Sequence, residues 1–181
     1  MRKTYTYLLL FITLLGFAAC DAVDKEADFV GPYFKLDSFF NQEKQWQLLT
    51  KADYEKTITM DGKTVSNTIP YTDTSWILLF KDMDINKPAW VNRYEADTFP
   101  GVVLYQAKDS NLRIKSIEIN FDEYGDIIEI LIIKKEKQPI YYIEQEMLYV
   151  RRKYYTIKVK QNATLLGNSE PVIKGTFIKN N

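Results

Sequence analysis

The sequence predicts an α+β domain, with two N-terminal helices and a β-hairpin packed on a curved antiparallel sheet, a meander of about six strands. Two observations carry this expectation. Apolar residues recur at helical spacing in two early stretches, and from Phe99 onward the pattern changes to alternation and short apolar runs. A run of strands following helices argues for helices gathered on one face of an antiparallel sheet. No internal repeat or low-complexity segment interrupts the chain.

The elements follow in order. Gly31-Pro32 opens the domain. Phe34, Leu36, Phe39, Phe40, Trp46 and Leu49 recur roughly every turn and predict an amphipathic helix over 37–51. Asp37 or Ser38 is placed to cap it, and Gln42, Glu43, Lys44 and Gln45 supply its wet face. Asp61-Gly62 marks a two-residue hairpin turn within 55–69, because both central positions of such a turn need positive φ. That register sets Ile58 opposite Val65 and Met60 opposite Lys63, and its thin apolar face suits an edge hairpin. Trp76, Leu79, Phe80 and Met83 predict a second helix, capped by Thr72 or Asp73. Asp82, Asp84 and Asn86 share the alternation that opens a calcium loop. Lys87 and Arg93 stand where that loop needs Gly and Glu, so the segment reads as a turn.

Six strands then follow. The first spans 102–106. The second spans 112–121, and a phase slip at Lys115-Ser116 predicts a β-bulge. Asp122-Glu123-Tyr124-Gly125 is a tight turn. Residues 126–134 are apolar on both faces and predict a central strand covered on both sides. A polar connection over 134–138 leads to two long strands, 140–150 and 154–161, turning at Arg151-Arg152-Lys153. A loop over 162–171 precedes the last strand, 172–178.

Composition limits the chemistry. There are 24 basic and 24 acidic residues, so no cationic excess favours nucleic acid. Histidine is absent and cysteine occurs once. Triads built on His, His general bases and His-metal sites are thereby excluded, and no cofactor or metal site is expected. Carboxylate chemistry remains open, since glycosidases need only two carboxylates. Asp122, Glu123 and Asp126 cluster at one turn, where Asp and Gly are also ordinary turn residues. Glu144 and Glu146 share one strand face and Lys158 and Lys160 the next, which predicts cross-strand ion pairs. Tyrosines concentrate in the 140–155 hairpin. Tyr141, Tyr149 and Tyr155 are the candidate ligand-binding residues, because Tyr offers a flat apolar face and a polar tip. Strands also favour aromatics for packing alone.

The N-terminus is the most specific stretch. Arg2 and Lys3 precede an apolar run over 5–17, followed by Ala18-Ala19-Cys20 and the charges of Asp21, Asp24, Lys25 and Glu26. A positive start, a short apolar run and small residues describe a secretory signal rather than a spanning helix, which needs about 20 apolar residues. With its cysteine, the segment resembles the lipobox of bacterial lipoproteins, with Phe17 where Leu is usual. That resemblance implies cleavage before Cys20, a diacylglycerol thioether on its sulfur and an acylated amino group, palmitate being the usual chain. The expected organisation is a signal peptide over 1–19, a lipidated acidic tether over 20–32 and one globular domain over 33–181. The acidic tether resembles the export signals of surface lipoproteins of the Bacteroidetes group. Asp21 directly after Cys20 resembles a retention signal of enteric bacteria, so the leaflet stays open between cell surface, outer membrane and inner membrane.

The expected function is a lipid-anchored, non-catalytic envelope module, with the membrane as partner through Cys20 and an envelope protein, glycan or lipid as ligand. A carrier of lipid or apolar ligands and a carboxylate-dependent glycan hydrolase are the alternatives.

Overall fold

The computed structural model describes residues 30–164 and 167–178. The expected signal peptide, Cys20 and most of the expected tether lie outside the described residues. The strands are β1 (Tyr54–Met60), β2 (Lys63–Ile69), β3 (Tyr94–Phe99), β4 (Val102–Ala107), β5 (Ile114–Phe121), β6 (Ile127–Gln138), β7 (Tyr141–Val150), β8 (Tyr154–Ala163), β9 (Gly167–Ser169) and β10 (Val172–Phe177). They form one antiparallel sheet in the order β2-β1-β10-β8-β7-β6-β5-β4-β3, with β9 paired to β8. Two helices, α1 (Leu36–Thr50) and α2 (Ser75–Lys81), and a 3₁₀ turn at Pro88–Trp90 complete the described elements. Gly31–Asn181 is a single compact unit.

This architecture corrects the expected α+β arrangement. Among the described residues strand accounts for 51% and helix for only 17%, and the sheet has ten strands rather than a six-stranded meander beside a packed hairpin. Three physical reasons account for the difference. The β1–β2 hairpin does not pack on the sheet but joins it, because β1 pairs with β10, with Ile58 opposite Ile173. β3 is an edge strand in which only Tyr94 is buried, so the short alternation through Glu95, Ala96 and Asp97 carries little apolar signal. β6 continues through the polar stretch to Gln138, held by its ladder with β7 rather than by apolar burial.

Local signals hold where chemistry dictates them. Asp61 and Gly62 both have positive φ, 51° and 73°. They set Ile58 opposite Val65 and Met60 opposite Lys63. The register shifts between Ile114 and Ser116, which places a bulge at Lys115. Gly125 lies at φ 83° in the β5–β6 turn.

The core lies on one face of the sheet, beneath the helices. Ile117, Ile132, Met147 and Ile157 stand opposite one another across four strands, and all are buried. Ile119, Ile130, Tyr149 and Tyr155 form the next buried row. Each such side chain contributes about 1.5–3 kcal/mol on removal from water. On the opposite face of β6, Leu131 and Ile133 are only half-buried, so this strand is not covered on both sides as its run of apolar residues suggests.

The helices supply aromatic rings to these rows. Trp76 of α2 stacks on Tyr149 at 5.3 Å and on Tyr155 at 5.1 Å, and Phe40 of α1 stacks on Phe80 of α2 at 4.9 Å. Ile77, not Leu79, is buried beside Trp76 and Phe80 on α2, and Leu49 of α1 is exposed. α2 has only seven residues, so its buried side is set by docking rather than by a long periodic stripe. The α1 start is capped from a distance. Asp84 Oδ2 accepts the N–H of Asp37 at 3.0 Å, while the Asp37 carboxylate pairs with Lys81. Asn86 fastens the entry to α1, accepting from Tyr33 N and donating to the carbonyls of Tyr33 and Phe34. The segment that opens like a calcium loop is thus occupied by capping and latching.

Gly175 is required by close approach. A Cβ there would lie 2.2 Å from the ring of Tyr155, which covers the glycine in the middle of the sheet. Gly175→Ala therefore forces Tyr155 off its stack with Trp76. The expected loss is about 1–3 kcal/mol, the usual range for overpacking, read as a lower urea midpoint with unchanged slope.

Candidate functional site

The candidate site forms where the β5–β6 turn, the β7–β8 turn and α1 meet. Its foundation is Glu43, which sits on α1 between polar, exposed neighbours yet is 0% exposed. One helical turn past Phe39 and Phe40, its side chain follows the buried stripe toward the sheet. Tyr149, on β7, donates its hydroxyl to Glu43 Oε2 at 2.7 Å. Arg151 Nε donates to Oε1 at 3.2 Å, and Arg152 donates through Nε to Oε2 at 3.3 Å and through Nη2 to Oε1 at 3.4 Å. The backbone N–H of Arg152 closes the cluster by donating to Tyr149 Oη at 3.1 Å.

The turn geometry makes this convergence possible. Arg152 holds the left-handed conformation at φ 56°, which aims two consecutive guanidinium groups at one carboxylate. Each also lies over a ring of α1, Arg151 at 6.0 Å from Phe39 and Arg152 at 5.3 Å from Trp46. Arg151 Nη1 reaches outward to Asp126 Oδ1 at 3.2 Å. Burial first, and then the Glu43 carboxylate, push the Tyr149 phenol far above the usual tyrosine range. Glu43 thus accepts from a neutral phenol and two guanidinium groups and ties α1 to the β7–β8 turn.

Two open grooves flank the Arg151–Asp126 bridge. One, of about 410 Å³, has an aromatic and aliphatic wall of Phe34, Phe39, Phe121 and Ile127. The other, of about 400 Å³, has a charged wall that includes Asp122, Glu129, Arg152 and Lys153. They share Asp126, Ile127 and Arg151. A guanidinium held by two carboxylates between an apolar and a polar wall can donate to a ligand oxygen while rings pack its apolar part.

The candidate residues from sequence are placed as follows. Tyr149 and Tyr155 are buried beneath the helices, and Tyr141 is half-buried, with its hydroxyl on Glu136 at 2.6 Å. The three share one side of the sheet, but Tyr149 and Tyr155 belong to the core, so they do not form an exposed binding face. Asp122 accepts from the N–H groups of Tyr124 and Asp126, as turn chemistry requires. Glu123 is exposed at the same turn. On the opposite face of β7, Glu146 meets Lys158 at 2.6 Å, and Glu144 meets Lys135 at 2.7 Å. Among the described residues, no group of His, Cys, Asp and Glu is arranged to hold a metal ion. Glu43 is the residue that sequence reasoning missed. Its signal was faint, a carboxylate three and four residues beyond buried phenylalanines.

Four tyrosines of the core also make the fold sensitive to alkali. Burial raises the phenols of Tyr54, Tyr94, Tyr149 and Tyr155 above their ordinary value of 10.0. A raised folded value means that the contribution is complete below the unfolded value and is lost as pH rises past it. Stability is therefore expected to be flat across neutral pH and to fall steeply above about pH 10. Phenolate absorbance recorded alongside unfolding checks this: these four tyrosines should ionise with the unfolding transition and not before it.

Compared with known proteins, the chain matches no family model and no curated protein sequence.

Proposed function

We propose that this protein is a lipid-anchored component of the bacterial cell envelope, a non-catalytic binding module held at the membrane through Cys20. The observation that carries this reading is the run Leu15-Gly16-Phe17-Ala18-Ala19-Cys20 after a positive start and an apolar stretch, upstream of a domain that forms its own compact unit. No helix among the described residues is long and apolar enough to cross a membrane. In this reading attachment falls to the acylated cysteine, where two or more chains hold stably. The binding role rests on the grooves beside Arg151. They suit a ligand with an apolar or aromatic part and a hydrogen-bond-accepting part, such as a peptide or glycan of the envelope.

Two features favour surface binding over the alternatives. The space between helices and sheet is taken up by the stacked rings of Trp76, Tyr149, Tyr155, Phe40 and Phe80, which opposes a lipid-carrying interior there. Asp122 is engaged by backbone N–H groups and Asp126 by Arg151, which opposes paired acid and base work by these two carboxylates.

Cys20→Ser is expected to move the protein from the membrane to the soluble fraction with an unchanged thermal midpoint. A variant that still sediments wholly with membrane overturns the anchor. Arg151→Ala in the native background is expected to keep membrane attachment but lose any co-purifying peptide or glycan.

A further inference from the structure

We propose that β2 pairs with β2 of a second copy of this chain, joining two sheets about a two-fold axis at Ser66. β2 ends the sheet, and Lys63 to Thr68 are all exposed. The two-residue turn makes Met60–Lys63 a hydrogen-bonded pair, so Lys63, Val65, Asn67 and Ile69 direct their backbone groups to β1. The N–H and C=O groups of Thr64, Ser66 and Thr68 therefore face outward. Edge strands are commonly protected by proline, bulges or charge. β2 contains no proline, its ladder with β1 is unshifted, and its one charge, Lys63, is at the turn.

The other edge is different. β3 carries Glu95 and Asp97. The Tyr33 hydroxyl occupies the outward backbone of Tyr94, accepting from its N–H at 3.2 Å and donating to its carbonyl at 3.4 Å. Pairing through β2 alone closes as a dimer and does not propagate into a filament.

The choice of a second copy rests on self-complementarity. With Ser66 opposite Ser66 of the second copy, Thr64 falls opposite Thr68 in both directions. The outward groups of each strand then meet, in about six hydrogen bonds. Hydroxyl side chains line one side, and cross-strand Thr and Ser pairs are favourable. Lys63 faces Ile69 of the second copy, so no like charges meet. On the other side, Val65 (61% exposed), Ile58 (42%) and Met60 (49%) form an apolar patch beyond the helices. Val65 of the two copies become diagonal neighbours, which makes the two patches continuous.

Sedimentation of the full chain in detergent, in a Cys20→Ser background that removes its only thiol, tests this. A dimer mass is expected. Ser66→Pro removes an outward N–H that β1 does not use, and should give a folded monomer. Hydrogen-bonded partners lie about 5.5 Å apart at Cα, within disulfide reach. Ser66→Cys should therefore cross-link to a dimer under mild oxidation, whereas Thr64→Cys, displaced from the axis, should not. A wild-type monomer at every concentration overturns the proposal, as does a dimer that survives Ser66→Pro or equal cross-linking of the two cysteine variants. A monomer that captures only an extended strand of another protein also overturns it.

Discussion

Glu43→Ala is expected to destabilise the domain by about 3 kcal/mol, the lower end of what breaking a buried ion pair costs. Glu43 is wholly buried, while the side chains of Arg151 and Arg152 keep 25% and 42% of their exposure. Water therefore recovers part of the loss at the guanidinium groups. It cannot do so at Tyr149, whose hydroxyl is buried and would keep only the N–H of Arg152 as a partner. An unsatisfied buried group costs about 1–3 kcal/mol. The rest of the effect is the lost clamp between α1 and the β7–β8 turn. Glu43→Gln keeps the shape and an acceptor for Tyr149 but removes the charge, and should cost less than the alanine variant. A double-mutant cycle of Glu43→Gln with Tyr149→Phe, read by urea denaturation, should show coupling above about 0.5 kcal/mol. Additive effects would show that the cluster is incidental. The grooves beside Arg151 depend on the same clamp, so ligand retention should fall with Glu43→Ala even under conditions where the variant is fully folded.

Trp76→Ala is expected to cost about 3–5 kcal/mol, the range for removing a large buried aromatic side chain. The indole lies between Tyr149 and Tyr155, with Phe40, Phe80 and Phe177 at its edges. Its Nε1 donates to Gln47 Oε1 at 2.8 Å. Gln47 is itself buried and donates to the carbonyls of Tyr71 and Asp73. Removal of the indole thus leaves a cavity and an unpaired amide oxygen together. Trp76→Phe preserves much of the packing and isolates the hydrogen bond. Calorimetry should place the phenylalanine variant well above the alanine variant in thermal midpoint. Equal midpoints would mean that the stacking of Trp76 on Tyr149 and Tyr155 contributes little.

These two residues also show what can be read from the chain. Trp76 was legible, because a large aromatic on a short apolar stripe has few places to go but inward. Asp61-Gly62, the bulge at Lys115 and Gly125 were legible for a related reason: each is dictated by backbone chemistry within a few residues. Glu43 was not legible. Its partners Tyr149, Arg151 and Arg152 lie more than a hundred residues away, and beside Gln42, Lys44 and Gln45 it looks like part of a solvated face. The joining of β1 to β10 is hidden in the same way, since no local pattern encodes which distant strand becomes a neighbour. The tyrosines divide along this line. Their strand positions could be read from alternation, but the burial of Tyr149 and Tyr155 follows from where the two helices dock.

Intact-mass measurement of the protein isolated from its native membrane tests the lipid anchor most directly. The expected species begins at Cys20 and carries the mass of a diacylglycerol thioether, with or without a further acyl chain on its amino group. A chain that retains Arg2 and Lys3, or one that begins at Cys20 with an unmodified thiol, would contradict it.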